Sequence, residues 1–261
     1  MTKSPYSGRP ESSWLGITQR LVNSHPLKRG TLLEAAIAAW TTLWQTTLGS
    51  GQTSVRLSAL QVPATIVGYF FEILLTRELE QCNPTLWRGS ESKDEKDLVY
   101  LPDQSFSVEI KTSGQAGFRI YGNRSYRQKS ANELLIKKEK SGFYITANFF
   151  QTTLTLLRFG WIDAEDWDPQ KAPTGQMAGL KPSVYEHKLL PLPGSYRQKA
   201  PIILLNGAGP HVAEEFAKLG IRTIGDLLAH QKELPSRLDR VKQLNRRFLA
   251  GCFDQSIREQ P

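Results

Sequence analysis

The spacing of apolar positions changes period along the chain, and the changes divide it. Residues 1–30 are rich in Ser, Pro, Gly and Arg, which predicts a loosely ordered N-terminal arm. From there Leu33, Ala36, Ile37, Trp40, Leu43 and Trp44 recur at helical spacing. Thr31 with Glu34 three residues on has the form of a capping box, so a helix is expected from Thr31 to Gly49. A second helix is expected from between Ser58 and Pro63 to about Gln81. Its apolar rows, Val62, Ile66, Phe70, Leu74 and Val67, Phe71, Leu75, Leu79, cover a broad face, so it should be largely buried.

From Leu86 the period falls to two, predicting strands at 86–89, 97–101 and 106–112, with turn chemistry at Pro102-Asp103-Gln104 between the last two. A short strand at 118–121, a helix at 130–140 and strands at 143–150 and 154–162 follow. Helix, three strands, helix, two strands is the order of an α/β fold, a mixed sheet flanked by helices. Residues 163–200, with many Pro and Gly, read as a connection, and from Pro201 the pattern is helical to about Phe253. The expected division is an arm of 1–30, an α/β domain of 31–200 and a small helical C-terminal subdomain of 201–261.

The strand at 106–112 singles out a chemistry. Phe106, Val108 and Ile110 alternate with Ser105, Ser107, Glu109 and Lys111, so the apolar set turns inward and Glu109 shares the other face with Lys111, about 7 Å apart by the strand rise. A hairpin turning at Pro102-Asp103 brings Asp97, at the head of the preceding strand, beside Glu109, making an oxygen pocket suited to Mg²⁺. The same acid-x-Lys triplet occurs at Glu91/Lys93, Asp94/Lys96 and Glu186/Lys188, but only Glu109/Lys111 lies on an alternating strand after an acid-headed one. Asp103 sits in the turn and points away.

Charge and cysteines narrow the class. The chain of 261 residues carries a net +8, and between Lys111 and Lys140 eight basic residues face two acids, so most of the surplus lies beside the candidate site. That is the electrostatic footprint of a polyanion binder. Cys82 and Cys252 stand far apart and frame neither a zinc site nor a disulfide scaffold, so a reducing prokaryotic cytoplasm is expected. No stretch approaches eighteen consecutive apolar residues, so no membrane span is expected. The four histidines are scattered, which gives a His-metal nuclease or a Ser-His triad little support.

Asp97, the twelve-residue step to Glu109, and Lys111 resemble the motif of the PD-(D/E)XK nuclease superfamily, and the element order over about 59–162 is similar to its core. The run Glu109-Ile110-Lys111-Thr112-Ser113, followed by Gly122-Asn123-Arg124-Ser125-Tyr126, resembles what several type II restriction endonucleases carry. The resemblance implies a restriction-endonuclease-like fold and Mg²⁺-dependent hydrolysis of double-stranded DNA at a specific, palindromic site by a homodimer. It implies Asp97, Glu109 and the Ile110 carbonyl as metal ligands, Lys111 as the group that orients or helps deprotonate the attacking water, and Glu72 as a further acid from the preceding helix. A cognate DNA methyltransferase is expected in the same system, though not as a stable partner. By residue type, Arg119, Asn123, Arg124, Arg127 and Gln128 suit contacts to base edges, and Ser125 and Tyr126 suit phosphates.

Leu205-Asn206-Gly207-Ala208-Gly209-Pro210 leads into apolar-periodic Val212, Ala213, Phe216 and Ala217, a stop at Gly220, and a helix at 224–229 capped by Thr223. This resembles a helix-hairpin-helix, in which Gly207 and Gly209 would let backbone N–H groups approach a phosphate. Residues 201–205 leave little room for the first helix, and a turn used for packing or dimerisation is the alternative. Two other functions fit less well: a structure-specific repair or recombination nuclease of the same fold, and a DNA-binding protein that never cleaves. A pure binder has no use for two clustered carboxylates next to phosphate.

Overall fold

The computed structural model describes residues 3–123, 140–169 and 177–253. Three helices come first: α1 (Trp14–Ser24), α2 (Arg29–Gln45) and α3 (Ala64–Cys82), with a small ribbon of β1 (Thr47–Leu48) and β2 (Val55–Arg56) between the last two. The strands β3 (Trp87–Gly89), β4 (Leu98–Tyr100) and β5 (Val108–Ser113) form a meander. After β6 (Tyr121–Asn123), the long strands β7 (Gly142–Phe150) and β8 (Thr153–Ile162) form an antiparallel pair. Then come β9 (Trp167–Pro169), β10 (Met177–Leu180) and β11 (Leu189–Pro191). The central sheet runs β11-β8-β7-β5-β4-β3, antiparallel except for β5 against β7, and β6-β10-β9 form a second sheet. A mixed sheet flanked by helices is the architecture expected from the sequence.

Strands β7 and β8 are buried along nearly their whole length because both faces of the sheet are covered. Ile145, Ala147, Phe149, Leu157, Phe159 and Trp161 pack with α1, α2 and α3 in the main core. Tyr144 and Ile162, on the opposite face, join Ile120, Trp167, Val184 and Leu189 in a second cluster. A third cluster spans residues 200–252 and gathers α4 (Pro210–Lys218), α5 (Ile224–Ala229), α6 (Ser236–Leu244) and α7 (Arg246–Ala250).

Several expectations need correction. Residues before 31 are not a loose arm: Trp14, Ile17 and Leu21 form a helical stripe on the core, and Tyr6, Val22 and Leu27 are buried in it. Beneath them the buried Lys188 ammonium lies 2.8 Å from both Asp163 and Asp166 and 4.4–4.5 Å from the rings of Tyr6 and Trp14. Removing one member of such a buried network typically costs about 3–5 kcal/mol. The same network shows that 163–200 is not a mere connection, since it carries three strands and an edge of the main sheet. Helix α2 starts two residues before Thr31, with Lys28 at its N-cap, and stops at Gln45 rather than Gly49. In α3 the apolar row Val67, Phe71, Leu75, Leu79 is buried, because the helix meets the sheet and α2 on one side; of the other row Val62 and Leu74 are partly buried, while Ile66 and Phe70, with Tyr69 and Ile73, are exposed. The strand expected at 118–121 is displaced to β6, in the second sheet, and Phe106 lies in a helical turn (Gln104–Phe106) before β5. The helix expected at 130–140 lies, but for Lys140, outside the described residues.

Candidate active site

Pairing of β4 with β5 is confined to Leu98 opposite Val108, whereas β5 stays paired with β7 through Ser113. Past Glu109 the edge of β5 that faces away from β7 is therefore not covered by β4, and a cleft of about 500 Å³ opens there. Its walls are Asp97, residues 109–115 of β5 and the chain after it, the α3 residues Ala64, Thr65, Gly68, Tyr69 and Glu72, and Tyr121, Gly122 and Met177. Helix α3 comes this close because position 68 is glycine: a Cβ there would stand 2.2 Å from Thr112 Oγ1.

Val108 and Ile110 enter the main core, so the strand period sends Glu109 and Lys111 the other way. Glu109 is buried, with 2 % of its surface exposed. Asp97, one residue before β4, accepts the Ile110 N–H on Oδ2 at 2.7 Å, which fixes its carboxylate against β5. The Lys111 ammonium bonds Glu109 Oε1 at 2.6 Å and the Ile110 carbonyl at 3.0 Å, and lies 3.8 Å from Asp97 Oδ2. Two side chains that start about 7 Å apart along the strand thus turn towards each other, drawn by opposite charge. Burial disfavours the Lys111 charge, but Glu109, Asp97 and the more distant Glu72 outweigh it and raise its pKa above the ordinary lysine value.

Asp97, Glu109, Lys111 and Ile110 are therefore brought together, and Glu72 lines the same cleft at intermediate burial. Among the described residues no three His, Cys, Asp or Glu side chains are close enough to hold a metal by themselves. The available donor set is two carboxylates and one carbonyl, all hard oxygens, and all three already converge on one cation, the Lys111 ammonium. That chemistry fits a divalent ion of the magnesium or calcium kind.

The DNA-reading candidates are spread out. Arg119 is exposed on the chain between β5 and β6, and Asn123 ends β6, paired with Met177 of β10. Arg124, Ser125, Tyr126, Arg127 and Gln128 lie outside the described residues. Gly207 and Gly209 are not part of the cleft. Gly207 has φ +84° and lies against Val241 and Leu244, while Gly209 caps α4 and faces open space. Before this hairpin stands only a three-residue turn, Ile202–Leu204, in place of a first helix. Thr223 does cap α5, in a reciprocal box with Asp226. Sequence reasoning missed the wall residues Thr65, Tyr69, Tyr121 and Met177, which reach the cleft from other elements and carry no local signal.

Two comparisons bear on this chain. It is 34 % identical over 198 residues to the type II restriction enzyme ScaI of Streptomyces caespitosus, covering 72 % of this chain and 83 % of that protein. A family model described as ScaI restriction endonuclease matches residues 4–193, which takes in α1, the whole cleft and the central sheet and stops before the C-terminal helices. With the matched range extending over most of the chain, this protein belongs to the ScaI restriction endonuclease family and is a type II restriction endonuclease, an enzyme that cleaves DNA at a specific site.

Proposed function

We propose that Asp97, Glu109 and Lys111, with Glu72 in support, form a Mg²⁺-dependent centre of the PD-(D/E)XK kind that hydrolyses double-stranded DNA at a palindromic site. The observation that carries this reading is the convergence of Asp97 Oδ2, Glu109 Oε1 and the Ile110 carbonyl on a single cation. These three atoms would hold the metal. When bound, Mg²⁺ supplies positive charge to the scissile phosphate and lowers the pKa of a coordinated water. Asp97 contributes a carboxylate whose direction is set by the Ile110 N–H. Glu109 contributes one whose burial makes it costly to leave without a cation. Lys111, released from Glu109, orients the water and offsets charge developing on the phosphate. Glu72, which lines the same cleft, adds a negative field that favours cations there.

Recognition falls to Arg119, Asn123, Arg124, Arg127 and Gln128 at base edges and to Ser125 and Tyr126 at phosphates. The hairpin at Gly207 and Gly209 serves as a phosphate contact outside the cleft. A homodimer is the working form, because one centre cuts one strand and a two-fold pair matches a palindrome. The exposed row Ile66, Tyr69, Phe70, Ile73 supports this: it forms an apolar patch that borders the cleft through Tyr69, where a second copy keeps both centres on one duplex. A separate methyltransferase that protects the same site completes the system.

The test is digestion of plasmid DNA by the purified protein with and without Mg²⁺, followed by mapping of the ends. Discrete fragments ending at one repeated sequence, abolished by EDTA, are expected. Cutting that is indifferent to EDTA, or without sequence preference, overturns the reading.

A further inference from the structure

Arg158 and Asn148 stand on β8 and β7, facing away from the main core, and both are buried. Among the described residues no carboxylate pairs with Arg158. Its guanidinium instead donates to Asn148 Oδ1 at 2.8 Å and to the Phe118 carbonyl at 3.0 Å, and lies 5.3 Å from the centre of the Tyr185 ring. Asn148 passes the contact on, its Nδ2 donating to the Arg119 carbonyl at 3.0 Å. The Tyr185 hydroxyl accepts the Ile120 N–H at 2.8 Å. Two consecutive peptide groups, 118–119 and 119–120, are thus gripped by three side chains from three different elements. The Phe118 ring is held from a further side, stacked on Phe248 of α7 with centroids 4.8 Å apart.

An acid-free buried guanidinium is a costly way to fill space, and an apolar residue of the same volume would do that better. Burial shows in the group itself, lowering the Arg158 pKa to about 10. What the arrangement does supply is a fixed backbone under an exposed arginine. Arg119 projects from the gripped segment, and two residues later Tyr121 and Gly122 line the cleft. A long side chain on a fixed backbone loses less freedom on meeting DNA, and it meets a base edge in one register.

We propose that Asn148, Arg158 and Tyr185 are positioning residues that hold residues 118–120 in place and so set the sequence discrimination exercised through Arg119. This rests on the reading of Arg119 as a DNA contact. The most telling variant is Asn148→Asp. It keeps the acceptor for Arg158, and gives that cation a carboxylate, while removing the donor to the Arg119 carbonyl. A fold-only role predicts little change, whereas a positioning role predicts a defect in a well-folded protein. Tyr185→Phe removes the acceptor for the Ile120 N–H with no change of charge.

Once the cut site is mapped, kcat/KM is compared between the cognate site and sites altered at one base, for wild type, Asn148→Asp, Tyr185→Phe, Arg119→Ala and the Asn148→Asp/Arg119→Ala pair. The inference expects the Asn148 and Tyr185 variants to lose discrimination by about tenfold or more. Melting temperatures should fall only by the few degrees that one lost buried hydrogen bond costs, KM for the cognate site should change more than kcat, and adding Arg119→Ala to Asn148→Asp should produce little further loss. Wild-type discrimination in both positioning variants, with Arg119→Ala defective, overturns the inference alone. Wild-type affinity and discrimination in Arg119→Ala overturns the reading of Arg119 and the inference with it.

Discussion

Gly68 is where the fold and the chemistry meet most tightly, and Gly68→Ala perturbs both. The added Cβ would stand 2.2 Å from Thr112 Oγ1 and 3.4 Å from Thr112 Cβ, so either the Thr112 side chain must turn or α3 must move away from β5 by about 1 Å to restore ordinary contact. Alanine gains up to about 1 kcal/mol over glycine inside a helix, while overpacking of this kind costs about 1–3 kcal/mol, so the net expectation is a loss of about 0–2 kcal/mol. The catalytic effect should be larger in proportion. Glu72 lies one turn further along the same helix and lines the cleft together with Glu109 and Lys111, and a misplacement of about 1 Å can reduce a rate on the order of a hundredfold. Thr112→Ala removes Oγ1 and leaves only the 3.4 Å contact, so the double variant should recover most of both losses. Urea unfolding and single-turnover cleavage of the two single variants and the pair measure the cycle. A fully active Gly68→Ala, or a double variant no better than the single, refutes the argument that close approach of α3 to β5 builds the site.

Three further outcomes are expected. His25 is buried, accepts the Leu27 N–H on Nδ1 and bonds the Phe106 carbonyl through Nε2, and burial lowers its pKa to about 4. The unfolded chain therefore protonates first: its contribution is whole above about pH 6.5 and falls by about 3 kcal/mol as the pH drops to 4, and urea unfolding at several pH values should show that slope shrink in His25→Gln. Ile73 is 60 % exposed, so Ile73→Asp should leave the melting temperature nearly unchanged while sedimentation shows dissociation to monomer; a folded dimer in this variant removes α3 from the dimer contact. Gly209 faces open space at the head of α4, so Gly209→Val should fold normally and weaken specific and nonspecific DNA binding in equal proportion; unchanged affinity for both removes the hairpin from the DNA interface.

The sequence spoke clearly where one strand carried the whole signal. The alternation around Glu109 and Lys111 and the turn at Pro102-Asp103 were enough to place Asp97 beside them, because strand period and hairpin register are local properties. The pairs β7 and β8 were legible for the same reason. What failed depended on distant partners. Lys188, Asp163 and Asp166 fall in the segment read as a connection, and only the fold brings them together and buries them under Tyr6 and Trp14. Trp14, Ile17 and Leu21 did carry a helical spacing, obscured by the surrounding Ser, Pro and Gly. In α3 the period showed two apolar rows but not that Ile66 and Phe70 of one of them would stay outside. Asn148 and Arg158 gave no signal at all, since their partners are backbone carbonyls from a segment thirty to forty residues away in sequence.

The most direct test of the central claim is Glu109→Gln, which keeps the size of the side chain and removes the charge that meets the Lys111 ammonium at 2.6 Å. Cleavage of cognate DNA in Mg²⁺ and binding of the same DNA are measured on one preparation. The account predicts a loss of cleavage of about a thousandfold or more with cognate DNA binding retained. Near wild-type, Mg²⁺-dependent cleavage by Glu109→Gln would contradict it.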